Sequence, residues 1–279
     1  MHLGPAWIAI GLALAGPVAA QDDPVRIVSL APHLTALAFD AGAGASVVGT
    51  VEYSDYPAGA RSIPRVGNAF QVDIERVVAL APDVVLAWES GTPERTIAQL
   101  ENVGLDVVVL ATYRVGDVGQ VIRRIGSIAG SAATAEAAAR EFEDEVAAFD
   151  DRVTRDPLRV FIQIDDRPLY TVNGDHIISE LVERCGGRNV FADLDQLAPI
   201  VGLEAVIAAR PEVILSTDDT VTDPAGQWQR WPEIPAVASD TIYSVPADLV
   251  AQATTRLVDG LELICRDLAQ ARRQLAAAP

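Results

Sequence analysis

Short apolar runs rich in Val and Ile alternate along this chain with segments whose apolar positions recur every three or four residues. In the first half, RIVSL, VVGT, VVLAW and DVVVL have strand character, and helical spacing covers residues 33–42, the segment IERVVALAP and residues 93–103. In the second half, VFIQI, VIL and TIYSV have strand character, and helical spacing covers residues 176–185 and 252–275. Strands that alternate with helices predict an α/β fold with mostly parallel sheets and helices on both faces.

Between residues 115 and 153 the strand signal disappears. The sequence AATAEAAAREFEDEVAAFDDRV is rich in Ala and Glu and contains no Gly or Pro, which is typical of a helix. We predict a helix over 116–130 and a longer one over 131–155. The chain should therefore form two Rossmann-like lobes joined by a long rigid connecting helix, with small lobe movement. The predicted division is a signal peptide (1–20), an N-terminal lobe (21–114), a helical connector (115–157) and a C-terminal lobe (158–279).

One phrase occurs twice, as IERVVALAPDVVL at 74–86 and as LEAVIAARPEVIL at 203–215. In each copy a Glu (Glu75 or Glu204) begins a short helix, a Pro ends it, an acid follows and a strand begins. The repeat predicts two similar lobes. A chance likeness is the alternative, because helix, Pro and strand follow one another in many α/β proteins. The matching glutamates favour the repeat.

The N-terminus has the pattern of an export signal. An apolar stretch runs from Ala6 to Ala15, small residues continue through Ala20, and charge begins at Asp22. This pattern predicts a signal peptide cleaved after Ala20. A membrane anchor is less favoured, because the apolar stretch is shorter than the roughly 20 residues that a bilayer span needs. We therefore expect a soluble exported protein.

The composition is acidic. All 21 basic residues are Arg, and they stand against 39 acidic residues for a formal net charge of −18. Such a surface repels nucleic acid and anionic lipid. The two cysteines, Cys185 and Cys265, would meet an oxidising compartment in an exported protein. We predict that they form one disulfide in the C-terminal lobe, which leaves neither free as a nucleophile or a metal ligand.

Few residues could carry catalysis. After the signal peptide the histidines are His33 and His176, and their spacing fits no metal-binding motif. His176 is most simply a surface residue at a helix start. His33 lies at a helix N-terminus that follows a strand, where α/β sheets place ligand sites, although a structural role is the alternative.

Two pairs of acids follow predicted strands. They are Asp165–Asp166 and Asp218–Asp219. Acids in this position would suit a metal site or a hydrolase. Neighbouring acids point in different directions, however, and are more often solvated loop residues.

The aromatic residues lie mostly in predicted loops and at strand ends rather than at helical-core spacing. For each one alone, packing in the core is the better interpretation. As a set they predict a cleft for a large flat ligand between the lobes. The set comprises Tyr53, Tyr56, Phe70, Trp88, Tyr113, Tyr170, Trp228 and Trp231.

Several stretches together carry a family resemblance. They are RIVSLAPHLTALAF, VEYSDYP, IERVVALAPDVVLAW, VFIQIDDRPLYT, ERCGGRNVF, LEAVIAARPEVIL and residues 248–265. On these stretches the chain resembles the periplasmic cobalamin-binding proteins of ABC transporters. They belong to the helical-backbone class of substrate-binding proteins, which also contains haem and ferric siderophore receptors. The paired cysteines and YSDYP are most similar to the cobalamin branch.

The resemblance implies roles for individual residues. Glu75 and Glu204 match two acids that dock onto arginines of the two-fold symmetric membrane permease. This agrees with the repeat, since two similar lobes would offer similar charges to a partner made of two similar subunits. Cys185 and Cys265 match the disulfide of the family.

The resemblance also implies ligand contacts. Tyr53, Trp88 and Asp248 match positions that contact the ligand, and we add Phe70 and His33 as candidates. The chain departs from the family pattern in this same region. The departures are Ala69 for a Trp, with Phe70 beside it, Leu249 for a Trp, Gln252 for an Arg, Ile164 for a Phe and Ala36 for a Glu.

The resulting hypothesis is a periplasmic receptor that captures a corrinoid such as cobalamin between its lobes and passes it to an inner-membrane ABC permease dimer. No catalytic step, resident cofactor or metal is expected, and we expect a monomer. In the nearest alternative, the same kind of receptor binds a ferric siderophore or haem. A third hypothesis is an enzyme, a chelatase or hydrolase that uses Asp165, Asp166 or His33.

Overall fold

The computed structural model describes residues 24–68, 70–152, 155–217, 221 and 223–277. The predicted signal peptide, Ala69 and the pair Asp218–Asp219 lie outside these residues. Within the described residues, two four-stranded parallel sheets and one short antiparallel pair of strands occur. Helices surround both parallel sheets. The predicted α/β class with mostly parallel sheets in two lobes is confirmed.

The N-terminal lobe contains the first sheet. Its elements are β1 (Ile27–Ser29), α1 (Pro32–Asp40), β2 (Val47–Gly49), α2 (Ile74–Ala79), β3 (Val84–Trp88), α3 (Glu94–Asn102) and β4 (Val107–Leu110). The strands lie in the order β2-β1-β3-β4. Strand β1 is buried along its whole length, because helices cover both faces of a parallel sheet.

Two helices connect the lobes, α4 (Asp117–Ala129) and α5 (Ala132–Ala147). They pack closely, since a Cβ placed on Gly126 would clash with the Cβ of Ala135. The prediction of a second helix that continues to residue 155 is wrong. The chain turns after Ala147, Phe149 is buried in the core, and a short 3-10 turn covers Asp150–Arg152.

The C-terminal lobe contains the second sheet. The strands of that sheet are β5 (Leu158–Gln163), β8 (Gly187–Asn189), β9 (Val213–Thr217) and β10 (Ile242–Val245), and the separate antiparallel pair is formed by β6 (Asp165–Asp166) and β7 (Leu169–Tyr170). The helices of the lobe are α6 (Ile177–Arg184), α7 (Leu203–Ala209), α8 (Pro224–Trp228), α9 (Pro235–Ala238), α10 (Ala247–Val250) and α11 (Leu257–Ala277). Strand β8 was not predicted. The last helix begins at Leu257 rather than at the predicted residue 252, because α10 packs separately against its first turns.

The two lobes repeat one topology. The second sheet has the order β8-β5-β9-β10, which matches β2-β1-β3-β4 strand for strand. Helix α2 precedes β3 and helix α7 precedes β9, so Glu75 and Glu204 lie in the first turn of equivalent helices. The lobe repeat predicted from the doubled phrase is therefore confirmed at the level of topology.

A single apolar core passes through both lobes. It includes Ile27 and Leu86 from the first sheet, Ile162 and Leu215 from the second, and Ile125 from the connector. Each lobe has a further cluster on the other face of its sheet. Continuous packing of this kind resists separation of the lobes.

The two cysteines belong to this core and form the predicted disulfide. Cys185 ends α6 and Cys265 lies within α11, with Cα atoms 4.6 Å apart. The bond joins α11 to the end of α6 within the C-terminal lobe. None of the helices in the described part of the chain combines the length and apolar character needed to cross a bilayer.

Candidate functional site

A cavity of about 290 Å³ lies between the lobes. Residues that follow the carboxyl ends of β1, β3 and β4 line one wall, and loops of the C-terminal lobe line the other. Parallel α/β sheets bind ligands at this end of their strands. The lining residues are Pro32, His33, Trp88, Ser90, Thr112, Tyr113, Asp175, His176, Ile177, Leu197, Ala251, Gln252 and Ala253. Of the predicted ligand contacts, His33 and Trp88 lie here.

His33 forms part of the buried floor of this cavity. Only 6% of its surface is exposed, and its Nε2 lies 3.2 Å from the Oγ1 of Thr112. The ring meets Trp88 edge to face, with centroids 5.0 Å apart. Burial lowers the pKa of His33 from 6.5 to about 4, because the charged imidazolium loses solvation. His33 is therefore neutral at ordinary pH and supports the indole that forms the cavity wall.

His176 reaches the same cavity from the opposite lobe. Its Nδ1 accepts a hydrogen bond of 3.2 Å from the backbone N–H of Ile178 and caps the start of α6. Burial lowers the pKa of His176 to about 4. The prediction that His176 is simply a surface residue is wrong, because the loop before α6 folds over the carboxyl ends of the N-terminal sheet.

A smaller recess adjoins the cavity and shares Pro32 and Gln252 with it. Tyr53 and Asp248 lie there, as does Tyr56. The Oδ2 of Asp248 is 2.7 Å from Arg256, and the guanidinium of Arg256 lies 4.7 Å from the centroid of Tyr56. A ligand amide at Asp248 would therefore share that carboxylate with an arginine.

Two of the predicted ligand contacts are largely exposed. Tyr53 is 80% exposed at the edge of the recess, and its φ of 65° holds the loop in a left-handed turn. Phe70 is 67% exposed and lines neither the cavity nor the recess. The ligand role of Phe70 stays a prediction.

Trp228 belongs to the core of the C-terminal lobe rather than to a ligand cleft. It is 1% exposed, packs edge to face on Phe161, and donates its indole N–H to Gln163 at 2.8 Å. Trp231 packs beside it. The prediction of a cleft lined by the whole aromatic set is therefore wrong for this pair, whereas Tyr56, Trp88 and Tyr113 do line the cavity or the recess.

Asp165 and Asp166 lie in the short pair β6–β7. The Oδ1 of Asp165 accepts a hydrogen bond from the backbone N–H of Asp166, and Asp166 forms an ion pair with Arg167. Neither carboxylate lines the cavity. Among the residues that the structure describes, no group of three His, Cys, Asp or Glu side chains could hold a metal ion.

Glu75 and Glu204 are exposed and lie outside the cavity and the recess. Neither takes part in a salt bridge between described residues. The two carboxylates are thus available to a partner. Their docking role stays a prediction.

Sequence reasoning placed Gln252 in the ligand region as a departure from the family pattern, but it did not identify several other lining residues, including Thr112, Asp175 and Leu197. A signal existed for Thr112, since it follows a predicted strand at the carboxyl edge. The others lie in loops whose position depends on the packing of the two lobes.

Two buried polar atoms lack a hydrogen-bond partner among the described residues, Trp88 Nε1 and Thr254 Oγ1. Most buried polar atoms in folded proteins are paired. Trp88 lines the cavity and Thr254 lines the recess. Both exceptions therefore lie in the candidate site.

This fold and cleft define a class of receptor, and comparison with known proteins identifies it. The chain belongs to the periplasmic binding protein family, whose model matches residues 27–249. It is 32% identical over 256 residues to the vitamin B12-binding protein of Vibrio parahaemolyticus, covering 91% of this chain and 93% of the relative.

Solved structures agree with this assignment. The periplasmic vitamin B12-binding protein BtuF of Vibrio cholerae matches with a TM-score of 0.83 and 31% identity, over 90% of this chain and 98% of that one. The haem-binding protein RhuT of Roseiflexus sp. RS-1 has a TM-score of 0.79 at 23% identity, over 89% and 99% of the two chains. The second match shows a shared fold. The resemblance inferred from the sequence is confirmed.

Two histidines, the buried His33 and the half-buried His176, make stability depend on pH. Their folded pKa values of about 4 lie below the ordinary 6.5, so the unfolded chain binds more protons between these pH values. The free energy of unfolding should therefore fall as the pH drops from 6.5 towards 4, by at most about 1.4 kcal/mol per pH unit for each histidine.

Urea denaturation across this pH range measures the slope. A variant with both His33→Gln and His176→Asn should have a shallower slope than the wild type, because the carboxylates that also titrate are common to both proteins. Equal slopes would contradict the assignment of neutral rings.

Proposed function

We propose that this protein is a monomeric periplasmic receptor that captures a corrinoid between its lobes and delivers it to an inner-membrane ABC importer, with no catalytic step and no resident cofactor. One observation carries the proposal. A chain 32% identical to a vitamin B12-binding protein over nearly its whole length has an inter-lobe cavity walled by Trp88 and Tyr113.

The cavity and its recess together suit a large, flat ligand. Trp88 offers a rigid aromatic face supported by His33, and Tyr53 and Tyr56 extend the aromatic surface beyond the cavity itself. Burial of a broad apolar face against such side chains supplies affinity, and a few polar groups orient the ligand. A corrinoid would fill the cavity with one edge and cover the recess with another.

The enzyme hypothesis has less support. Asp165 and Asp166 lie away from His33, and the Nε2 of His33 lies next to a threonine hydroxyl rather than a nucleophile or a carboxylate. An acid–base mechanism needs its groups within hydrogen-bond reach of one reacting centre. Membership of a binding-protein family supports the same conclusion.

A second cargo, haem or a ferric siderophore, has one observation in its favour. The phenol of Tyr53 is largely exposed beside the recess, and a tyrosine oxygen can ligate haem iron. In this alternative, Tyr53 would bind the iron and the cavity would hold the edge of the ligand.

Calorimetric titration of the mature protein with cyanocobalamin tests the proposal. We expect saturable binding at one site, with a dissociation constant in the micromolar range or below. Parallel titrations with haemin and a ferric hydroxamate siderophore separate the alternatives. Absence of a heat signal with cyanocobalamin at micromolar protein would contradict the corrinoid proposal, and binding of haemin or the siderophore would then favour the alternative cargo.

Trp88→Ala should weaken cyanocobalamin binding by about 30-fold or more, since a buried aromatic anchor typically contributes about 2 kcal/mol or more to binding. Trp231→Ala is the matched control. It makes the same chemical change in the same protein at a half-buried position outside the cavity. Equal affinity of the two variants would remove Trp88 from the binding surface.

A further inference from the structure

The N-terminus of α6 determines the proton position on the His176 ring. The Nδ1 of His176 accepts a hydrogen bond from the backbone N–H of Ile178, at 3.2 Å. A ring nitrogen that accepts a hydrogen bond carries no proton, so the neutral imidazole must carry its proton on Nε2. Burial keeps the ring neutral by lowering its pKa to about 4. His176 is therefore a hydrogen-bond donor on the ring edge that faces away from the helix.

The same cavity contains a second donor. The indole nitrogen of Trp88 is buried, and no hydrogen bond to it occurs within the described residues. Indole can donate a hydrogen bond but cannot accept one. Trp88 and His176 line the cavity from opposite lobes. A ligand edge placed between them would satisfy the Nε2–H of His176 only if it carried an acceptor oxygen, whereas the indole nitrogen is covered by the atoms around it.

The charges at the cavity disfavour a carboxylate as the hydrogen-bond acceptor. Among the described residues, Asp175 is the one charged side chain that lines the cavity, and it forms an ion pair of 3.3 Å with Arg114. Arg114 is therefore already neutralised, and neither it nor any other Arg in the described part of the chain lines the cavity. A carboxylate buried there would lose solvation, gain no cation and lie near Asp175. A neutral carbonyl meets none of these costs.

We propose that this cleft selects an uncharged carboxamide edge of its ligand over a carboxylate edge, and that the Nε2–H of His176 donates a hydrogen bond to the amide carbonyl. The inference rests on the proposed corrinoid function and adds to it a chemical rule for the ligand periphery. The rule favours amidated corrinoids over their acid precursors. It also disfavours macrocycles whose edge carries free carboxylates.

Two corrinoids that share one ring provide the test. Dicyanocobinamide carries carboxamide side chains, whereas dicyanocobyrinic acid carries carboxylates at the same positions. The wild-type protein should bind the amide at least about tenfold more tightly, because an unpaired carboxylate in the cavity costs more than one neutral hydrogen bond contributes. Both titrations use the mature, disulfide-bonded chain.

His176→Asn is the informative variant. Asparagine is a strong helix N-cap, so it preserves the start of α6 while it removes the distant Nε2–H donor. We expect a five- to tenfold loss of affinity for dicyanocobinamide, about the value of one hydrogen bond, with an unchanged melting temperature. Asp175→Asn should instead raise the affinity for dicyanocobyrinic acid relative to the amide, since it removes an acid and frees Arg114.

Equal affinity of the wild-type protein for the two corrinoids would overturn the proposed selectivity. Unchanged dicyanocobinamide affinity in a folded His176→Asn variant would overturn the role of His176. Both results leave the corrinoid function standing. If neither dicyanocobinamide nor cyanocobalamin binds the wild-type protein, the proposed function fails, and this inference fails with it.

Discussion

Replacing Cys185 and Cys265 with serine is expected to lower the free energy of unfolding by about 4 to 5 kcal/mol. The disulfide closes a loop of 80 residues, and opening it restores that conformational freedom to the unfolded chain. The loop contains β9 and β10, so the bond joins α11 to the sheet that α11 covers. Both sulfur atoms lie in the continuous core, and serine hydroxyls there would add a desolvation cost.

Urea denaturation of three proteins measures this effect. The double serine variant and the wild type reduced with dithiothreitol should have similar free energies of unfolding. Both values should lie below that of the oxidised wild type. A double alanine variant separates the loss of the cross-link from the burial of hydroxyl groups. A loss below about 1 kcal/mol in both variants would mean that the unfolded chain is already compact around this loop.

Reversing the charge of Glu75 and Glu204 together, by substitution with arginine, is expected to abolish transport and to leave cyanocobalamin binding in solution unchanged. Both glutamates are exposed in the first turn of equivalent helices, and neither lines the cavity. Two equivalent charges on two similar lobes suit a partner built from two similar subunits. Like charges at such contacts cost several kcal/mol of docking free energy.

Uptake of labelled cyanocobalamin by cells that carry the partner transporter is the measurement, with ligand affinity of the purified variant measured in parallel. Glu94→Arg is the matched control, because Glu94 is an exposed acid in the first turn of α3 on the same lobe as Glu75. Single reversals should give intermediate uptake. Normal uptake by the double variant would refute docking through these residues.

Much of the fold could be predicted because its signals are local. The runs VVLAW and VFIQI become central strands, since continuous β-branched and apolar sequence suits a strand buried on both faces. The doubled phrase predicted the lobe repeat, and the matching strand orders of the two sheets agree with it. The disulfide could be predicted from an exported chain with two cysteines.

The predictions that the structure contradicts concern side chains that pack against residues distant in the sequence. Helix α5 ends at Ala147 because Phe149 turns into the shared core, although the sequence beyond it has helical composition. Trp88 and Trp228 carry the same side chain, and each is the last residue of its element, strand β3 and helix α8. One fills the core beside Phe161, and the other walls the cavity beside His33.

The sequence by itself determined most of the elements, the two-lobe plan, the disulfide and the family, because periodicity, Cys content and motif order can be recognised without the tertiary structure. Only the tertiary structure decided which side chains meet in the cleft. His33 and His176 lie in different lobes, and they line one cavity because the lobes pack through α4, α5 and α11. The donor character of His176 likewise depends on a helix start that places its Nδ1 against a backbone N–H.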